Sequence, residues 1–88
     1  MKLKENYILR QVVDTWVVLP VGTATADFNG MMTLNASGAL LWNALEQGAD
    51  REKLASVLTS EYIVSLEQAQ KDVDEFLSKL QTAGCLEL

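Results

Sequence analysis

The sequence contains no histidine and a single cysteine, Cys85. Without histidine it lacks the commonest general base near neutral pH and the commonest metal ligand. A lone cysteine permits no internal disulfide, and it cannot hold an iron–sulfur cluster by itself. Next to the apolar Leu86, Cys85 reads as a small buried hydrophobe; a nucleophile would need a base beside it. The glycines are scattered and form no phosphate-cradling loop. Neither Asp27 nor the carboxylates of the helical half fall into a paired arrangement suited to acid–base work. No apolar run approaches the roughly 18 residues that a membrane span requires. The opening Met1-Lys2-Leu3-Lys4-Glu5-Asn6 is charged and no apolar stretch follows it, so no signal peptide is expected and the chain reads as cytoplasmic. Together these absences speak against an enzyme, a resident metal or cofactor, and a membrane protein.

The 88 residues are 49% hydrophobic and carry a net charge of −5. That length suits one domain over residues 1–88, with a small core and little room for a deep catalytic cavity. The two halves differ in pattern. Tyr7 to Val13 is β-branched and aromatic and reads as a strand. Asp14-Thr15 reads as a tight turn, and Trp16 to Leu19 as the returning strand. Pro20 and Gly22 should end it. Thr23 to Phe28 reads as an irregular connection. Asn29-Gly30 is a turn signal, and Met31 to Leu34 follows as a third short strand.

From Asn35 onward the period becomes helical. Asn35 or Ser37 can cap a first helix whose apolar face holds Leu41, Trp42 and Leu45, with Gly48 at its end. Asp50 caps a second helix with Leu54, Val57 and Leu58 on one stripe, and Tyr62 closes it. Ser65-Leu66-Glu67-Gln68 has the form of a capping box. It opens the longest helix, where Leu66, Ala69, Val73, Phe76, Leu80 and Ala83 recur at spacings of three and four. Gly84 ends this helix, and Cys85 to Leu88 is either a short terminal strand or a docked tail. The order β-β-β-α-α-α predicts an α+β, winged-helix-like fold: a three-stranded antiparallel sheet followed by three helices.

The run Leu34-Asn35-Ala36-Ser37-Gly38-Ala39-Leu40-Leu41-Trp42-Asn43-Ala44-Leu45, with Gly48 after it, resembles the coenzyme PQQ synthesis protein D (PqqD) family. Asp72-Val73-Asp74-Glu75-Phe76-Leu77, with Leu80 and Gly84-Cys85-Leu86, carries the second match. Cys85 stands where the family usually has an aliphatic residue. The resemblance covers nearly the whole chain. It implies a recognition element that binds the leader of a ribosomally made precursor peptide as an added strand beside the third helix. It also implies presentation of that precursor to a modifying enzyme, often a radical enzyme that uses S-adenosylmethionine and iron–sulfur clusters. Those cofactors would belong to the partner. A lasso-peptide system, in which a similar domain works with a leader protease or cyclase, is the alternative.

The residues themselves suggest where such a peptide would lie. An edge strand offers free N–H and C=O groups, and an added peptide can use them. Met31 and Met32 point to opposite faces of the third strand, and methionine adapts to varied apolar partners. Thr33 lies between them and the helix. On the third helix Gln70, Asp74, Leu77 and Gln81 fall at spacings of four, three and four. Periodicity alone favours a solvated face with Leu77 at the core margin; the resemblance reverses that and favours a groove wall. The expected site is therefore Met31, Met32, Thr33, Gln70, Asp74, Leu77 and Gln81. An unfilled edge can also pair with a second copy, which keeps a homodimer open.

Two other classes fit less well. A winged helix that binds nucleic acid needs a basic face. Here Lys71 and Lys79 are outnumbered by Glu67, Asp72, Asp74 and Glu75. A carrier bearing a prosthetic arm would be all-helical, and Ser37 follows Ala36 instead of an acidic residue.

Overall fold

The computed structural model describes residues 2–5, 7–21 and 32–87. Gly22, the connection expected over Thr23 to Phe28, the Asn29-Gly30 turn and Met31 lie outside the described residues.

Strands β2 (Tyr7–Val12) and β3 (Thr15–Pro20) form an antiparallel hairpin. Val12 pairs with Thr15, so the two-residue turn is Val13-Asp14 and not Asp14-Thr15. Cross-strand pairing sets this register: it places Trp16 and Val18 opposite Leu34 and Met32 of the next strand. A slip of one residue would turn that set to the other face. Strand β4 (Met32–Leu34) pairs antiparallel with β3, giving the order β2-β3-β4. Met32 and Leu34 are buried and Thr33 is exposed, the alternation of a half-buried strand.

Helix α1 (Ala36–Glu46) starts directly after β4. Asn35 is its cap: Oδ1 accepts from the Gly38 N–H at 2.8 Å and from the Ser37 hydroxyl at 2.9 Å. Gly38 lets the helix approach the sheet, since a Cβ there would come within 3.2 Å of the Leu34 Cβ. Gly48, with φ 87°, takes the chain out of the helix. Asp50 caps α2 (Arg51–Glu61), accepting from the Lys53 N–H. Its buried residues are Leu54, Ala55 and Leu58, and the expected Val57 is only half-buried.

Ser65 caps α3 (Leu66–Ala83), accepting from the Gln68 N–H at 3.1 Å. The Gln68 side chain does not return to the cap; its amide donates to Asp72 Oδ1, one turn on, at 2.8 Å. Ala69, Val73, Phe76 and Leu80 form the buried stripe. Leu66, expected in that stripe, is 58% exposed because it stands in the first turn, ahead of the packed part of the helix. Gly84 ends α3 in the left-handed region. The chain then forms β5 (Leu86–Glu87), which pairs with a strand that the charged opening did not announce, β1 (Lys2–Leu3). The Lys4 N–H also donates to the Cys85 carbonyl.

One core joins these layers. It runs from Val18, Met32 and Leu34 through Trp42 and Leu45 to Leu54, Val73, Leu80 and Cys85. Trp42 is 1% exposed, as its place on the apolar face predicts. Its Nε1 has no hydrogen-bond partner among the described residues. Among the described residues, no helix is long and apolar enough to cross a membrane.

Candidate functional site

Among the described residues, strand β4 is paired only on its β3 side. Its other side faces a groove whose far wall is α3. Lys79 bridges the gap: its Nζ donates to the Thr33 carbonyl oxygen at 2.8 Å. That bond fixes the direction of the edge. In an antiparallel pair, a residue directs both its N–H and its C=O either to its partner or away. Since the Thr33 carbonyl meets a lysine from outside the sheet, the Thr33 N–H also turns toward the groove.

The lysine divides the groove into two hollows. The first, about 650 Å³, has an apolar floor that includes Leu34, Leu41, Leu58 and Phe76. Asp14 from the hairpin turn and Asp72 and Glu75 from α3 stand around it. The second, about 600 Å³, lies between Met32 and Thr33 on one side and Glu75, Ser78, Lys79, Thr82 and Ala83 on the other. Thr33, Glu75 and Lys79 border both hollows.

Of the residues expected from the sequence, Met32 and Thr33 lie on the groove edge. Met32 is mostly buried and lines the second hollow, and Thr33 supplies the edge carbonyl. Met31 lies outside the described residues. Gln70, Asp74, Leu77 and Gln81 line neither hollow. Asp74 instead holds Arg51 of α2 in a two-pronged pair, at 2.6 and 2.8 Å. This partner lowers the Asp74 carboxyl below its ordinary range and raises the guanidinium. Both side chains are about half exposed, so water screens the pair and it adds little stability. Leu77 packs at the margin of the core.

At 3.6 residues per turn, the Gln70–Gln81 line lies about 100° round α3 from the buried stripe. Asp72, Glu75, Lys79 and Thr82 lie about as far round in the opposite direction. The α3 wall of the groove is that second flank. Sequence reasoning passed over Asp72, Glu75, Lys79 and Thr82 as a groove wall, although their spacing of three, four and three is as regular as the other line's.

The described residues contain no group of three or more His, Cys, Asp or Glu side chains able to hold a metal ion. What the site offers is main-chain donors and acceptors along an open edge, with two side-chain hollows beneath.

The model of the coenzyme PQQ synthesis protein D (PqqD) family matches residues 15–86. Among solved structures, TbiB1 in complex with the TbiA(beta) leader peptide is similar at TM-score 0.80 and 26% identity, covering 99% of this chain and 95% of that one. Lasso peptide synthetase B1 complexed with the leader peptide is similar at TM-score 0.76 and 26% identity, covering 96% and 93%. No curated protein matches the sequence.

Proposed function

The chain belongs to the coenzyme PQQ synthesis protein D family, and from that premise we propose that it binds the leader segment of a ribosomally made precursor peptide without itself catalysing a reaction. The leader adds as a strand to the free edge of β4, in the groove against α3. The observation that carries this reading is the edge itself: Thr33 turns its backbone groups into a groove that ends in two hollows. Two similar structures, each a complex with a leader peptide, support it. Main-chain bonds would supply attachment, and the hollows would select alternate side chains of the leader.

The contacts fall on Met32, Thr33, Glu75, Lys79 and Thr82. Met31, the neighbour of Met32 in sequence, stays in the proposal by that position alone. Gln70, Asp74, Leu77 and Gln81 are left out of it: they line neither hollow, and Asp74 holds Arg51 of α2.

The partner that receives the leader is a radical enzyme that uses S-adenosylmethionine, the class that the family resemblance implies. A second reading, a leader protease or cyclase in a lasso-peptide system, is supported by the likeness to lasso peptide synthetase B1. Co-purification with the enzymes encoded in adjacent reading frames separates the two.

The binding test is fluorescence anisotropy with a labelled synthetic leader from the precursor gene beside this one. Thr33→Pro removes one edge N–H and leaves the β3 side of the ladder intact, a change that edge strands tolerate. It is expected to weaken binding about tenfold or more, since a peptide carbonyl loses its donor. Equal binding by wild type and a folded Thr33→Pro protein would refute strand addition at β4.

A further inference from the structure

The bond from Lys79 to Thr33 occupies the carbonyl that an added strand must use. We infer that Lys79 is an exchangeable cap on the β4 edge: it closes the edge in the free domain and gives way to a peptide N–H when the leader arrives. This rests on the leader-binding reading above and adds a step to it.

Lys79 Nζ lies 2.8 Å from the Thr33 oxygen, and no bond from another side chain to the β4 backbone accompanies it among the described residues. The lysine is exposed and reaches across 46 positions of sequence. Its long stem covers the edge as its head group satisfies it, the usual way a lysine guards a sheet edge against other strands. A leader strand cannot occupy the same space. The displaced ammonium has a destination one turn back on its own helix. Glu75 borders the same two hollows, and a glutamate four residues before a lysine is the favourable orientation for a helical pair. Leader binding thus exchanges one lysine bond for another: from the Thr33 carbonyl to the Glu75 carboxylate.

The exchange has a cost to binding that a substitution can remove. Lys79→Met keeps the aliphatic stem and loses the donor. It is expected to tighten the labelled leader by about two- to tenfold, the range set by one net hydrogen bond. Glu75→Gln removes the destination and should weaken binding about twofold in the wild type. In the Lys79→Met background the same Glu75→Gln change should have a smaller effect, because no ammonium is left to receive and only the carboxylate's own contact with the leader is lost. That non-additivity marks the exchange, and a purely structural role for either residue would not produce it. Sedimentation of the free proteins gives a readout without leader: Lys79→Met should self-associate at lower concentration, since its edge is open.

If wild type binds and Lys79→Met binds equally or more weakly, the cap is refuted and leader binding stands. If the two substitutions add independently, the exchange onto Glu75 is refuted. If neither wild type nor Lys79→Met binds the leader, both readings fall. Thermal melts of each variant confirm that it is folded, and Lys79→Gln, too short to span the groove, replaces Lys79→Met should the latter melt early.

Discussion

Val13 has φ 57° and is 84% exposed. A β-branched side chain in the left-handed region crowds its own backbone, at a cost of roughly 1–2 kcal/mol. Hairpins with two-residue loops favour glycine where the first central residue has positive φ. No packing is lost on removing so exposed a side chain. Val13→Gly is therefore expected to stabilise the domain by about 1 kcal/mol, after allowing for the greater freedom of an unfolded glycine. Chemical denaturation checks this; a lowered midpoint would mean that the turn is not strained. The same residue explains a displaced expectation. Local preference puts Asp14-Thr15 in the turn, because aspartate suits turns and valine suits strands. Cross-strand register overrides that preference and leaves valine in the turn.

At the scale of elements, the junction of β4 and α1 positions the groove. Asn35 belongs to neither element, but it ties the first turn of α1 to the strand that carries Thr33. Asn35→Ala should cost about 1 kcal/mol of stability, the usual loss for an N-cap, read from a denaturation midpoint. An unchanged midpoint would mean that water replaces the cap at no cost. The elements themselves were largely legible in the sequence. The change from β-branched runs to three-and-four spacing marks where sheet gives way to helix, and Asn35, Asp50, Ser65, Gly48 and Gly84 punctuate the helices. Two things were not legible. Strand β1 is too short to show any periodicity, and its pairing with β5 is what decides between the terminal strand and the docked tail that Cys85 to Leu88 left open. The groove flank of α3 was also hidden. A buried stripe has two flanks, and Gln70–Asp74–Leu77–Gln81 repeats as regularly as Asp72–Glu75–Lys79–Thr82. Only the placement of α2 and β4 around the helix decides which flank meets the strand and which meets Arg51.

For the molecule as a whole, Cys85 reports on the fold. It is fully buried where α3 hands over to β5, and burial pushes its thiol up to about 11, with only a small opposing influence from Lys4. A thiol with a raised value in the folded state stays protonated while the unfolded chain has begun to ionise. Between about 9 and about 11 the unfolded state thus binds fewer protons, and stability falls as pH rises. Denaturation midpoints measured across that interval should fall more steeply for wild type than for Cys85→Ala; parallel curves would mean the thiol ionises equally in both states. Iodoacetamide at neutral pH should likewise label the protein only after unfolding.

Of the three described residues of strand β4, the middle one, Thr33, turns its backbone outward. Thr33 would thus give an added peptide about two main-chain bonds, each worth about 1 kcal/mol net. So small an anchor favours a short residence time. Since affinity differences between related complexes lie mostly in the rate of departure, the number of main-chain bonds at the edge is a setting on how fast the peptide leaves. A module of the proposed kind, which hands its peptide to an enzyme, is limited by release as much as by capture. Lengthening β4 would make a better trap and a slower courier.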